Sequence, residues 1–193
     1  MESIVAFTTP IYKQKIEGLD LDYINRGILD LQKQDSGVIV SNRGGWQSHG
    51  LNFPPSGNEM EIDFMGPVIG KIFPFVNQAF LEYGFDQTDY FIHYWLNINK
   101  RYSYNKTHFH GDTKMSGVLY TRVPKDSGKI FFERPDTKIH KFQIQNTNNF
   151  DNYYIQPEDG LFVMFSGQLK HFVEQNLTED EDDRRISIAF NFT

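Results

Sequence analysis

The chain has no cysteine in its 193 residues. That excludes disulfides and any thiolate metal site. It also lacks a basic excess: 19 Lys and Arg stand against 25 Asp and Glu, a formal net charge of −6. Nucleic-acid binders are usually basic because they neutralise phosphates, so no nucleic-acid partner is expected. No run approaches the roughly 18 apolar residues of a membrane span, so no membrane partner is expected either. The first residues, MESIVAFTTPIYKQK, have no basic start followed by a long apolar run. No signal peptide is therefore expected, and a cytoplasmic location is. Repeats and low-complexity segments are absent as well. A chain of this length is most simply one domain with a substantial core. Its composition leaves homo-oligomerisation open.

What is abundant points to strands. Phe occurs 18 times and Tyr 10 times, and aromatic side chains suit a pleated, half-buried surface. Residues 3–7 read as a short strand that Pro10 stops. Leu21, Ile24, Ile28 and Leu31 recur at helical spacing, with Asp20 or Asp22 as cap. VIVSN at 38–42 reads as a strand, and Gly44, Gly45 and Trp46 as a turn with an aromatic plug. Residues 51–58 carry two prolines and read as loop. Ile69, Ile72, Val76 and Phe80 form a second helical stripe. Pro67 suits its first turn, Pro74 predicts a kink and Gly84 a stop. From Tyr90 the pattern becomes β: YFIHYWLNIN, KMSGVLYTRV, KIFFE, KFQIQ, LFVMF and ISIAFNF, with turn signals between them. Helices first and then many short antiparallel strands predict a mainly β (α+β) domain, a curled sheet or barrel with helical buttressing. The expected division is helical and strand support over 1–85 and a β core over 86–193, within one domain of 1–193.

The chemistry concentrates at 107–120, THFHGDTKMSGVLY. In a strand, residues two apart share a face, so His108 and His110 would aim two imidazoles at one point, with Asp112 close by. Neutral imidazole is the commonest metal ligand. Two are too few for a divalent metal, so a third group must come from elsewhere. Of the remaining histidines, His93 reads as a satisfied core or wall residue, and His49 and His140 as exposed. His171 stands out, between the strand of LFVMFSGQLK and the last strand. Arg185 opens that last strand and Ser187 shares its face. Arg184 should then face solvent. Tyr120 lies an even number of residues from both His108 and His110, so an uninterrupted strand would put it on their face, unless Gly111 breaks the parity. Asn97 and Asn99 give their strand one polar face. Trp46 and Trp95 read as core.

In combination, H-x-H, SGVLY, GKIFF, DGLFVMFSGQLKHFV and RRISIAF resemble the Fe(II)- and 2-oxoglutarate-dependent dioxygenases. More narrowly, the chain is similar to a group of small bacterial and phage oxygenases, prolyl-hydroxylase-like, with a double-stranded β-helix (a jelly-roll, cupin-like barrel). SNRGGWQS at 41–48 and WLNIN at 95–99 extend the likeness over most of the chain.

The resemblance implies Fe(II), 2-oxoglutarate and O₂ as cofactor and cosubstrates. It implies His108, His110 and His171 as metal ligands and Arg185 as partner of the distal carboxylate of 2-oxoglutarate, assisted by Tyr120 and Ser187. Asn97, on a polar strand face, is grouped with them. His110 stands where the family usually carries a carboxylate, and three neutral imidazoles would leave Fe(II) its full double charge. Asp112 remains the alternative if Gly111 bends the chain. The expected activity is hydroxylation of an unidentified substrate, a protein side chain or small molecule, coupled to decarboxylation to succinate. The rival reading is a non-catalytic cupin-like module that binds a metal or an anion.

Overall fold

The computed structural model describes residues 8–85, 90–135 and 151–193. Along the chain run β1 (Ile11–Lys15), α1 (Leu21–Gln32), β2 (Asn42–Arg43), β3 (Trp46–Gln47), β4 (Leu51–Phe53) and α2 (Met65–Tyr83). Then come β5 (Ile92–Asn99), β6 (Tyr104–His108), β7 (Met115–Arg122), β8 (Ile130–Glu133), β9 (Asn152–Ile155), β10 (Leu161–Ser166), β11 (His171–Val173) and β12 (Arg185–Phe192). Every pairing is antiparallel. A major sheet runs β1-β10-β7-β12-β5-β3, with β4 also on β5, and a minor sheet runs β2-β6-β11-β8-β9. The two face each other as a double-stranded β-helix.

Alternation along the major sheet separates two interiors. On β12, Ile186, Ile188, Phe190 and Phe192 join Leu96 and Ile98 of β5 and the apolar stripes of both helices in one core. That core holds Ile24 and Ile28 of α1 and Ile72, Val76 and Phe80 of α2. The opposite face of the same sheet looks into the barrel. There Leu161, Val163 and Phe165 of β10 pack on Ile130 and Phe132 of β8 and Ile155 of β9. This fills one side of the barrel and leaves the β5, β12 and β6 side polar.

Local signals explain the helices. Asp20 caps α1 by accepting from the Tyr23 backbone N–H at 2.9 Å. Gly84 ends α2 with φ of 99°, a left-handed value that glycine adopts at little cost. Pro67 sits in the first turn as expected. Pro74 does not interrupt the helix, which continues to Tyr83.

The N-terminal part contributes more strand than its pattern suggested. Ile11–Lys15 pairs with β10 directly after Pro10, and Leu51–Phe53 pairs with β5. Conversely, residues 38–41 are not strand. The Asn42 side chain ties them into a loop, with Oδ1 accepting from Val40 N at 2.8 Å and Nδ2 donating to Val38 O at 3.2 Å. Such side-chain bonds compete with a sheet ladder. The expected strands at 3–7 and 141–145, and His140, lie outside the described residues.

The two-faced β12 yields a test. Phe190 is fully buried between sheet and helices, so Phe190→Ala should cost about 3–5 kcal/mol in urea unfolding. Ser187→Ala, on the cavity face, should cost under about 1 kcal/mol. A reversed order would mean that stability does not reside in the helix–sheet core.

Candidate metal centre and cosubstrate cavity

Three elements deliver three imidazoles to one point. His108 closes β6 and pairs directly with His171, which opens β11. His110 is not on a strand. It sits just past β6, and its backbone N–H donates to Gly167 O at 2.7 Å. A Cβ at Gly167 would collide with the Thr113 carbonyl, so only glycine lets the two turns close this tightly. Sheet pairing thus places His108 and His171, and a locked turn places His110. The strand parity expected for H-x-H is not what joins them.

The ligand atoms of His108, His110 and His171 lie within 4.8 Å of one another. His110 Nε2 and His171 Nε2 are 3.3 Å apart. The His108 Nδ1–H donates to Lys106 O at 2.7 Å, and the His171 Nδ1–H to Leu169 O at 2.9 Å. A carbonyl only accepts, so both Nε2 atoms are left with lone pairs facing the cluster. Burial pushes all three imidazoles below their ordinary pKa. Burial first and the neighbouring His108 second bring His110 to about 4 and His171 to about 3. Neutral, converging lone pairs fit a divalent cation. Asp112 does not join them: Gly111 bends the chain at φ of 58°, and Asp112 stands exposed outside the group.

A cavity opens beside the cluster, lined by His108, His110, His171, Tyr120, Asn97, Arg185 and Ser187 among others. Arg185 is 2 % exposed. Its Nη1 donates to the carbonyls of Ser127 and Gly128, and it has no carboxylate partner among the described residues. Glu174 acts on it only at a distance, its carboxylate taking the Lys129 backbone N–H at 3.1 Å. Tyr120 pairs with Ser187 across β7 and β12. It reaches the cavity from the major sheet, not along the strand of His108, because the chain turns at 111–114. Burial pushes the Tyr120 hydroxyl up to about 12, partly offset by Arg185, so it remains a neutral donor. The side chains of Tyr120, Ser187 and Asn97 have no hydrogen-bond partner among the described residues. A buried guanidinium with free hydroxyls around it fits a dicarboxylate such as 2-oxoglutarate.

A family model described as "Putative 2OG-Fe(II) oxygenase" matches residues 93–191. The chain belongs to this family. As a 2OG-Fe(II) oxygenase it is an oxidoreductase that uses Fe(II), 2-oxoglutarate and O₂. No curated protein matches the chain. Among solved structures it is similar to a Pseudomonas putida prolyl-4-hydroxylase, at 16% identity and a TM-score of 0.61 over 96% of this chain and 92% of that one. It is similar also to a Trichoplax adhaerens prolyl hydroxylase in complex with a hypoxia inducible factor peptide fragment, at 11% identity and 0.64 over 96% and 84%. A viral collagen prolyl hydroxylase from Paramecium Bursaria Chlorella virus-1 gives 15% identity and 0.58 over 94% of both chains. These likenesses show the shared fold.

Two residues of this oxygenase's cavity escape a reading of motifs alone. The Ser41 hydroxyl stands 3.5 Å from His108 Nε2 and accepts from Asn105 Nδ2 at 3.1 Å. Ser41 lies in SNRGGWQS, but nothing in that string says which serine faces the histidines. Trp95, expected in the core, lines the cavity, its ring 5.6 Å from that of His110. His93 is a wall residue as expected, with Nδ1 3.3 Å from Asn52 Oδ1. Exposed His49 pairs with Asp35 at 2.8 Å, and Arg184 is far less buried than Arg185.

Imidazoles held neutral make stability depend on pH. Between about 6.5, the ordinary histidine value, and the lowered folded values, the unfolded chain binds more protons than the folded one. Stability must therefore fall as pH drops through that window, by at most about 1.4 kcal/mol per pH unit per imidazole. Urea titrations of metal-free protein at pH 7, 6 and 5 should show this loss, and His171→Gln should flatten it by about one imidazole's share. An unchanged slope in that variant would refute the neutral cluster.

Proposed function

We propose that this oxygenase is a hydroxylase of a protein side chain or small molecule, coupling substrate oxidation to decarboxylation of 2-oxoglutarate to succinate. The observation that carries the reading is the fully buried, carboxylate-free Arg185 in the same cavity as three neutral imidazoles. On this reading His108, His110 and His171 hold Fe(II), and Arg185 receives the distal carboxylate of 2-oxoglutarate. When bound, Fe(II) with 2-oxoglutarate supplies the O₂-dependent decarboxylation and the oxidation of a substrate C–H bond.

The residues of the chain do the positioning. The Lys106 and Leu169 carbonyls fix the tautomers of His108 and His171, which keeps the ligand lone pairs aimed without a proton to lose. The Ser127 and Gly128 carbonyls hold one edge of the Arg185 guanidinium, leaving its other donors for a carboxylate. Tyr120 and Ser187 add hydroxyl donors, and Asn97 an amide, beside it. The apolar wall of Ile130, Phe165 and Val173 keeps water scarce around the charge, and scarce water strengthens each of these contacts.

Mutation of the anchor tests the function beyond metal binding. Stranding one charge of a buried pair costs about 2–5 kcal/mol, so Arg185→Ala should weaken 2-oxoglutarate binding by roughly 30- to 5000-fold. Arg185→Lys should recover only part, since an ammonium cannot reproduce a two-pronged contact, and Arg184→Ala should do little. The readout is the absorbance of the Fe(II)–2-oxoglutarate charge-transfer band under anaerobic conditions. His108→Ala and His171→Ala should instead lower Fe(II) affinity itself, measured by calorimetry. By linkage, 2-oxoglutarate should tighten Fe(II) binding by the factor that Fe(II) tightens 2-oxoglutarate. Undiminished 2-oxoglutarate affinity in Arg185→Ala would overturn the reading.

A further inference from the structure

The cavity wall that joins the row of Arg185 to the histidines is a chain of hydrogen bonds with one direction. Asn99 pairs in register with Arg185 and is 4 % exposed. Its Nδ2 donates to Asn105 Oδ1 at 3.4 Å, and Asn105 Nδ2 donates to Ser41 Oγ at 3.1 Å. An amide nitrogen only donates, so Ser41 Oγ accepts here and its own proton is left over. The acceptor it meets among the described residues is His108 Nε2, at 3.5 Å. That nitrogen carries the lone pair, because the Nδ1–H is spent on Lys106 O. A separation of 3.5 Å is at the outer limit of a hydrogen bond, so the proton is held loosely. Asn99, Asn105, Ser41 and His108 all line the cavity.

Ser41 is in place before anything binds. Its carbonyl accepts the Lys106 backbone N–H at 3.0 Å, next to the Asn42–Asn105 and Arg43–Tyr104 pairs of β2 and β6. The buried Asn42 side chain ties down Val38 and Val40 just before it. Lys106 therefore fixes both partners, Ser41 through its N–H and the His108 ring through its carbonyl. A cation held by the histidines takes the lone pair of His108 Nε2, and the hydroxyl then loses its acceptor. No carboxylate among the described residues lines the cavity to replace it. The proton must turn to an acceptor that arrives with the metal.

We infer that Ser41 is a cosubstrate-binding residue. Its hydroxyl, aimed by Asn99 and Asn105, donates to the carboxylate of 2-oxoglutarate that meets the metal, at the opposite end from Arg185. This rests on the oxygenase reading of the cavity and deepens it. A molecule that reaches from Arg185 to the histidines lies along this wall, and a carboxylate is a stronger acceptor for a neutral hydroxyl than O₂ or a C–H substrate. The two ends of the cosubstrate are then recognised differently, the far one by a charge and the near one by a directed hydroxyl. Neither H-x-H nor the distal arginine contains this residue; β2 brings it in from the N-terminal part of the chain.

Ser41→Ala and Ser41→Thr test the assignment under anaerobic conditions. Without cosubstrate, Ser41→Ala should bind Fe(II) at least as tightly as the parent in calorimetry, because no hydroxyl competes for His108. With Fe(II) present, its 2-oxoglutarate affinity, followed by the charge-transfer band, should fall roughly ten- to hundredfold, the worth of a hydrogen bond to a charged group. The band should also move to shorter wavelength, since a donor to the keto-acid end stabilises the orbital that receives the electron. Ser41→Thr keeps a hydroxyl and should recover most of both changes. Oxalate, a dicarboxylate without the distal arm, should lose affinity for Ser41→Ala by the same factor, whereas Arg185→Ala should weaken 2-oxoglutarate far more than oxalate. Parent-like 2-oxoglutarate affinity in Ser41→Ala, a loss that spares oxalate, or a fall in Fe(II) affinity itself overturns the role of Ser41. A parent that binds Fe(II) but develops no band with 2-oxoglutarate overturns instead the reading of the cavity on which it rests.

Discussion

A positive charge buried without a carboxylate beside it is the constraint around which this barrel is arranged. An unpaired ion in a protein interior costs several kcal/mol, and among the described residues Arg185 is held there by the carbonyls of Ser127 and Gly128. A Cβ at Gly128, where φ is 87°, would press on the carbonyls of Glu174 and Gln175 and on the Arg185 guanidinium itself. The loop after β7 must therefore pass tightly over the arginine, and glycine permits the passage. The folded chain maintains an expensive arrangement, and on the proposed reading an incoming anion relieves its cost. Such local conflicts with stability mark places where a ligand is expected.

The strands that carry this charge can do so because their other face carries the stability. Period-two alternation hands Ile186, Ile188, Phe190 and Phe192 to the helix-backed core and Arg185, Ser187, Ala189 and Asn191 to the cavity. Neither set has to serve both ends. The barrel interior is divided as well: aromatic and aliphatic side chains of β8, β9 and β10 fill one side. They leave the polar side to the histidines and to Asn97, Asn99, Arg185 and Ser187. Both helices lie against the outer face of the major sheet.

Strands β5, β7, β8, β10 and β12 are legible because their alternation is strong and their turns carry Pro, Gly and Asp, whereas the short β9 and β11 carry too little pattern of their own. Both helices were legible from their stripes and caps. The short strands β2, β3 and β4 were not, since two or three residues contain too little pattern, and their strand character comes from pairing with β5 and β6. At the site, the sequence singles out His108, His171 and Arg185, but strand spacing is not what joins His110 to them. The period-two rule holds only within a strand, and β6 ends at His108. What brings His110 in is the contact with Gly167, 57 residues further on, and no local spacing encodes it. Trp95 was assigned to the core for a similar reason: an alternating strand shows that it has two faces, not which one meets an empty space.

The charge balance of the cavity follows from the imidazoles. The described residues that line it include no carboxylate, and the three histidines are neutral by burial. On the proposed ligand set, a divalent cation keeps both its charges, and Arg185 adds a third. In a site with two histidines and one carboxylate, the usual non-haem iron arrangement, one unit would already be cancelled. A dianion entering between the metal and Arg185 then removes two of three charges here, where it would remove both of the two remaining there. Unit charges at about 4 Å and an effective dielectric near 20 interact by about 4 kcal/mol. The difference is therefore large enough to affect which ligands the cavity accepts.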